Sequence, residues 1–182
     1  VELICSGKIK RSGSATELYF INASAFIFSQ LGDSLVLNKL AAQSKRLKKA
    51  YATDSAITGS EQATVIFLAN MSQLYKDQFV TRRYRKALQL LDSTFSEILA
   101  VTDASDPWAQ MAAANMYNSK VLIYSSLNQQ DSARFYLQKI FGNSIVSGDH
   151  QFNELMYISG LDSGAGNFKS AYLNLKQAFD LQ

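Results

Sequence analysis

The stretch Gly166-Asn167-Phe168-Lys169-Ser170-Ala171-Tyr172-Leu173-Asn174-Leu175-Lys176-Gln177-Ala178-Phe179 decides how this chain is read. Gly166 is a turn residue and Asn167 a candidate N-cap. Ala171, Leu175 and Ala178 follow at intervals of four and three residues, so they share one helical face. Small residues on that face let a second helix come close. An earlier segment, 128–140, repeats the design: Ala133, Leu137 and Ile140 stand where Ala171, Leu175 and Ala178 stand.

Working outward, apolar spacing and cap signals predict eight helices, over about 14–31, 34–50, 60–78, 81–101, 107–127, 131–141, 149–163 and 167–182. Ser14 with Glu17 and Thr58 with Glu61 read as capping boxes. Asp33 or Ser34 caps the second helix and Thr81 the fourth. Asp106-Pro107 is the clearest start: Asp caps, and Pro takes the first helical position, where its missing N–H costs nothing. The turns between paired helices are short, which makes antiparallel hairpins. The second helix of each pair starts near 34, 81, 131 and 167, an interval of roughly 36 to 50 residues that marks a repeat architecture.

Composition agrees with an all-α chain. Pro107 is the only proline among 182 residues, and few prolines suit long helices. Apolar residues make up 47% and charged residues 18%, which excludes a disordered polymer. The net charge of +3 is too mild to argue for nucleic acid. Cys5 is the single cysteine, so no intrachain disulfide forms and the thiol does not fix the compartment. No apolar run approaches the ~18 residues of a membrane span. Val1-Glu2-Leu3-Ile4-Cys5 departs from a lipoprotein cleavage site at Glu2 and Ile4. Residues 1–13 read as a tail, and 14–182 as the helical domain.

Catalytic patterns are missing. His150 is the only histidine and has no carboxylates at ligand spacing. Cys5 has no nearby histidine. Gly164-Ala165-Gly166 lacks the Lys-Ser/Thr ending and the preceding strand of a phosphate loop. Asp103 and Asp106 are close carboxylates, but capping explains Asp106. The expectation is a protein that is not an enzyme and uses no cofactor or metal. Of two basic runs, Lys45–Lys49 reads as a solvated helix end and Arg82–Lys86 as a solvated polar face, with an acidic partner as the alternative for the latter. As a nucleic-acid patch they would have to share one face. The aromatic residues, among them Tyr19, Phe26, Tyr75, Trp108, Tyr124 and Phe135, read as core.

On these residues the sequence resembles the tetratricopeptide repeat family. The last repeat matches the family pattern at Gly166, Ala171, Leu175 and Ala178, with Asp162 where a tyrosine is expected. The third matches at Tyr124, Ala133 and Leu137, with Asn128 at the glycine position and Val121 at a normally small one. The second matches at Ala87 and Leu91, and the first is degenerate around Gly32-Asp33-Ser34-Leu35. The resemblance implies an all-α fold, a right-handed superhelical stack of about four antiparallel helix hairpins. Asp131-Ser132-Ala133 and the closing segment also look like repeats in the sensor regions of Bacteroidetes-type histidine kinases and helix-turn-helix regulators. That likeness implies an extracytoplasmic sensing module, with a membrane anchor and output domain to follow; the alternative compartment is the cytoplasm. Tyr172, Phe179 and Leu181 are expected on the outer side of the last helix.

In such a stack the first helices line a concave groove. With Tyr124 anchoring the register, Asn115, Asn118, Leu122 and Ser125 face it. Asn side chains can bond a peptide backbone through both donor and acceptor. The expected partner is therefore a protein or peptide rather than nucleic acid. The family's Lys-Asn carboxylate clamp is not recognisable as a set. The alternative reading is a helical domain that senses a small molecule in a pocket among residues 60–127.

Overall fold

A computed structural model describes residues 16–52, 57, 59–141 and 150–180. The 1–13 tail with Cys5, the Ser14 and Thr58 cap positions, the 142–148 loop and Leu181 lie outside the described residues. The described residues are helical apart from short turns, with no strand among them: the fold is all-α. The helices are α1 (Thr16–Gln30), α2 (Ser34–Ala52), α3 (Gly59–Tyr75), α4 (Tyr84–Leu99), α5 (Pro107–Ser126), α6 (Gln130–Phe141), α7 (His150–Gly164) and α8 (Phe168–Phe179).

Two of the caps form as their sequence requires. The Asp33 carboxylate accepts the Leu35 and Val36 amides at 3.1 and 3.0 Å. The Asp106 carboxylate accepts the Trp108 and Ala109 amides at 2.8 and 3.2 Å, with Pro107 opening α5. Asn167 occupies the cap position of α8 without a side-chain cap bond. Glu17 is buried and accepts a 3.1 Å bond from Gln43 of α2, so its carboxylate ties two helices together.

One backbone frame recurs at the turns after α1, α5 and α7. Gly32, Asn128 and Gly166 have φ of 71°, 57° and 79°, the left-handed residue that ends a helix. The amide of each bonds back three residues, to Ser29, Ser125 and Ser163. The next amide in each turn bonds back five, to Phe28, Tyr124 and Asp162. The following helix starts two residues after the left-handed one in every case. Five residues after it stand Leu37, Ala133 and Ala171, all buried. Asn substitutes for Gly at 128 because its short polar side chain tolerates this region.

The turn before α4 follows the same frame with one residue inserted. Thr81 does not cap α4, as the sequence led one to expect. The chain instead makes a π-helical turn over Lys76–Val80, and the Thr81 hydroxyl bonds back to the Lys76 carbonyl and Asp77 at 3.3 Å each. Arg82 takes the left-handed position at φ 50°, and the Arg83 amide reaches back six residues to Asp77 at 2.7 Å. α4 then starts at Tyr84, and Ala87 is fully buried, five residues past the left-handed one. A π-turn is how a helix absorbs a single extra residue.

The chain divides into two compact units, Val1–Ala109 and Gln110–Gln182. In the first, Leu18, Ile21, Ala25, Leu37, Leu40 and Leu47 form the centre of the core. A polar seam crosses it: Ser44 meets Ser72 at 3.1 Å, and Asn70 donates to Thr94 at 2.9 Å. Ser60 donates to Asp106 at 2.7 Å, and Phe67 meets the Trp108 ring edge-on at 5.7 Å, so the start of α5 is fastened to α3. In the second unit Val121, Ala133 and Leu137 pack with Tyr124, Tyr136, Ile158 and Leu161.

Asp162 organises the second unit. Its carboxylate is buried and accepts bonds from Ser170 at 2.6 Å, from Asn174 at 3.0 Å and from the Arg134 guanidinium. It thereby joins α6, α7 and α8. Where the repeat pattern expects a tyrosine ring, this chain places a charged hub. Ser159 adds a 2.8 Å bond to the Ala171 carbonyl.

The aromatic expectation needs correction. Among the described residues the largest fully buried side chains are mainly Leu, Ile, Val and Met, with no ring among them. Tyr19, Phe26 and Phe135 are about half exposed, at 52%, 48% and 51%. Tyr51 is buried in the core of the first unit, and Tyr75 and Tyr124 pack half-buried, each against the core of its own unit. Tyr172 and Phe179 are exposed on the outer side of α8, as expected.

Candidate functional site: an exposed stripe on α5

α5 is enclosed on most of its circumference. Ala112, Ala113, Met116, Lys120, Val121 and Ile123 are all buried. The helix is apolar on several sides because it is covered on several sides. Its open residues include a stripe, Met111, Asn115, Asn118, Leu122 and Ser125, spaced four, three, four and three residues apart, with exposed Ser126 beside it. Met111, Asn115 and Leu122 are exposed, and Asn118 and Ser125 partly so. The structure thus puts the four residues read from the sequence on a single open face. Met111 was missed, although the same alternation of three and four, extended one step back, reaches it.

The backbone under this stripe is well supported. Asn115 donates to the Met111 carbonyl at 3.0 Å and Ser119 to the Asn115 carbonyl at 3.2 Å. Ser125 and Ser126 donate to Val121 and Leu122 at 2.7 and 2.8 Å. Behind it, aromatic packing fixes α5 on α6. Tyr124 stacks on Tyr136 at 5.6 Å, and Tyr117 lies 5.8 Å from the same ring. Lys120 donates to the Tyr136 hydroxyl at 3.3 Å, with its ammonium 4.6 Å from the ring centre. A buried cation is thereby satisfied by one tyrosine. The stripe itself is uncharged. It offers amide and hydroxyl hydrogen bonds beside two flexible apolar side chains, a surface for recognition rather than proton transfer.

The other sequence candidates are dispersed. His150 opens α7. Among the described residues no three His, Cys, Asp or Glu side chains are grouped to hold a metal. None of the described helices is long and apolar enough to cross a membrane. The two basic runs lie at opposite ends of α4, about 20 Å apart at 1.5 Å per residue. Lys48 meets Glu97 near the C-terminal end of α4, and it also donates to Asn70 at 3.3 Å. Arg82–Lys86 surrounds the N-terminal end.

Perturbed titrating groups of the first unit include Asp106, Asp103 and Tyr75. The Ser60 hydroxyl, then the α5 amides, hold the Asp106 carboxyl below its ordinary range. The amide and hydroxyl of Ser105 do the same for Asp103. Burial pushes the Tyr75 phenol up, against a bond from Asn22. These are capping and packing effects, and none lies on the α5 stripe.

Comparison with known proteins finds no matching family model, no matching curated protein and no matching solved structure.

Proposed function

We propose that this chain is a non-catalytic protein-interaction module of the tetratricopeptide type, which binds a peptide or protein segment along α5. The observation that carries the reading is the α5 stripe. On α5, Met111, Asn115, Asn118, Leu122 and Ser125 form an open stripe, with exposed Ser126 beside it. Amides alternating with Met and Leu suit an extended chain, whose backbone presents donors and acceptors and whose side chains need apolar contact. The recurring turn frame, with its buried small or aliphatic residue five positions on, supports a stack of helical hairpins around that surface. The likeness of the closing segment to repeats of extracytoplasmic sensor regions supports a role in signal transduction, with the partner's arrival as the signal.

Site-directed photocrosslinking tests this. A photoreactive residue at Leu122, and a control at exposed Gln138 on α6, are introduced into the protein in its native host. The reading expects a discrete protein adduct at position 122, diminished by Asn118→Ala and absent at 138. Equal, diffuse labelling at both positions would remove the basis for a binding face on α5.

A further inference from the structure

The first unit contains a cleft that the α5 reading does not use. It opens between the C-terminal part of α2, the first turns of α3 and the end of α4, and its volume is about 280 Å³. Its floor is apolar: Tyr51, Val65 and Ile66 are buried beneath it. Ala52 and Ala100 are exposed at its edge, so small side chains keep it open. One polar pair guards it, Lys48 with Glu97. The volume lies just under the ~300 Å³ at which ligand pockets usually begin, so an occupant would be small.

Lys45, Lys48 and Lys49 stand within five residues of α2, and Lys45 and Lys48 share a face with Ala52 at intervals of three and four. Lys45 and Lys49 are exposed. Among the described residues lining the cleft, the charged ones are Lys48 and Glu97, whose side chains are 26% and 43% exposed. The carboxylate is the more exposed partner of the pair, and Lys48 has a second partner in Asn70 at 3.3 Å. An incoming anion could therefore replace Glu97 at Lys48 without disturbing the core.

We infer that this cleft binds a small amphipathic monoanion, with its apolar body over Tyr51, Val65 and Ile66 and its carboxylate on Lys48 in place of Glu97. Glu97 then acts as a built-in competitor that sets the affinity. The site is separate from the α5 stripe and stands or falls independently of it.

Calorimetric titration of the full chain with octanoate, octanol and octylamine tests the inference. Octanoate should bind with a dissociation constant of about 1 mM or tighter, octanol about tenfold more weakly and octylamine not measurably. Glu97→Gln should tighten octanoate severalfold by freeing Lys48, while Lys48→Met should weaken it by about tenfold. Ala52→Trp, at an exposed rim position, should block octanoate and octanol without unfolding the protein by circular dichroism. Octylamine binding as well as octanoate, weakening by Glu97→Gln, or octanoate binding undiminished in Ala52→Trp would each overturn the site.

Discussion

Asp162 shows how much one residue can decide. A buried carboxylate is tolerated only if its lone pairs are filled, and here Arg134, Ser170 and Asn174 fill them. Asp162→Ala leaves three donors without an acceptor. It should cost about 2–4 kcal/mol in urea unfolding, and a loss under about 1 kcal/mol would show that the hub is dispensable. Asp106 makes a different prediction. Its folded pKa is depressed, so the stability it contributes is present at neutral pH and is lost as pH falls below about 4. Asp106→Asn keeps an oxygen for the cap but cannot titrate. The melting temperature of the parent should therefore fall more steeply than that of the variant between pH 5 and about pH 3. Parallel curves would mean that the cap is not electrostatically coupled to folding.

At the scale of the element, the turns carry the repeat. Gly32 and Gly166 were legible because glycine advertises a left-handed backbone, and Asn128 because asparagine is the next best substitute. Arg82 was not legible, since arginine has no such preference and the inserted residue is absorbed by a π-turn that leaves no compositional mark. For the same reason Thr81 looked like a cap, and α4 in fact begins three residues later. The strain is testable in both directions. Arg82→Gly should stabilise the protein by about 0.5–1 kcal/mol, and Gly166→Ala should destabilise it by about 1 kcal/mol, both read from thermal unfolding. If Arg82→Gly is destabilising, the arginine side chain does something that its exposed position does not reveal.

For the whole molecule, the α-helices of the described residues and the all-α class could be read from spacing and caps, because period and capping are local properties. Residue burial was less legible. Tyr19, Phe26 and Phe135 were read as core, yet they lie half in water, because which side of an aromatic is covered depends on neighbours distant in sequence. Glu17 illustrates the same point: a local capping role was visible, but its bond to Gln43 lies 26 residues away. A register fixed by Tyr124 set Asn115, Asn118, Leu122 and Ser125 along one side of α5, and exposed Met111 continues that side by one step. The most direct measurement is the double variant Asn115→Ala with Asn118→Ala, scored for crosslinked partner yield at position 122 and for melting temperature together. The expected result is a drop in yield of about tenfold, from the loss of two hydrogen bonds, with the melting temperature moving by less than about 2 °C. An unchanged yield, or a melting temperature that falls by far more than this, would contradict a binding role for α5 and make the two asparagines structural.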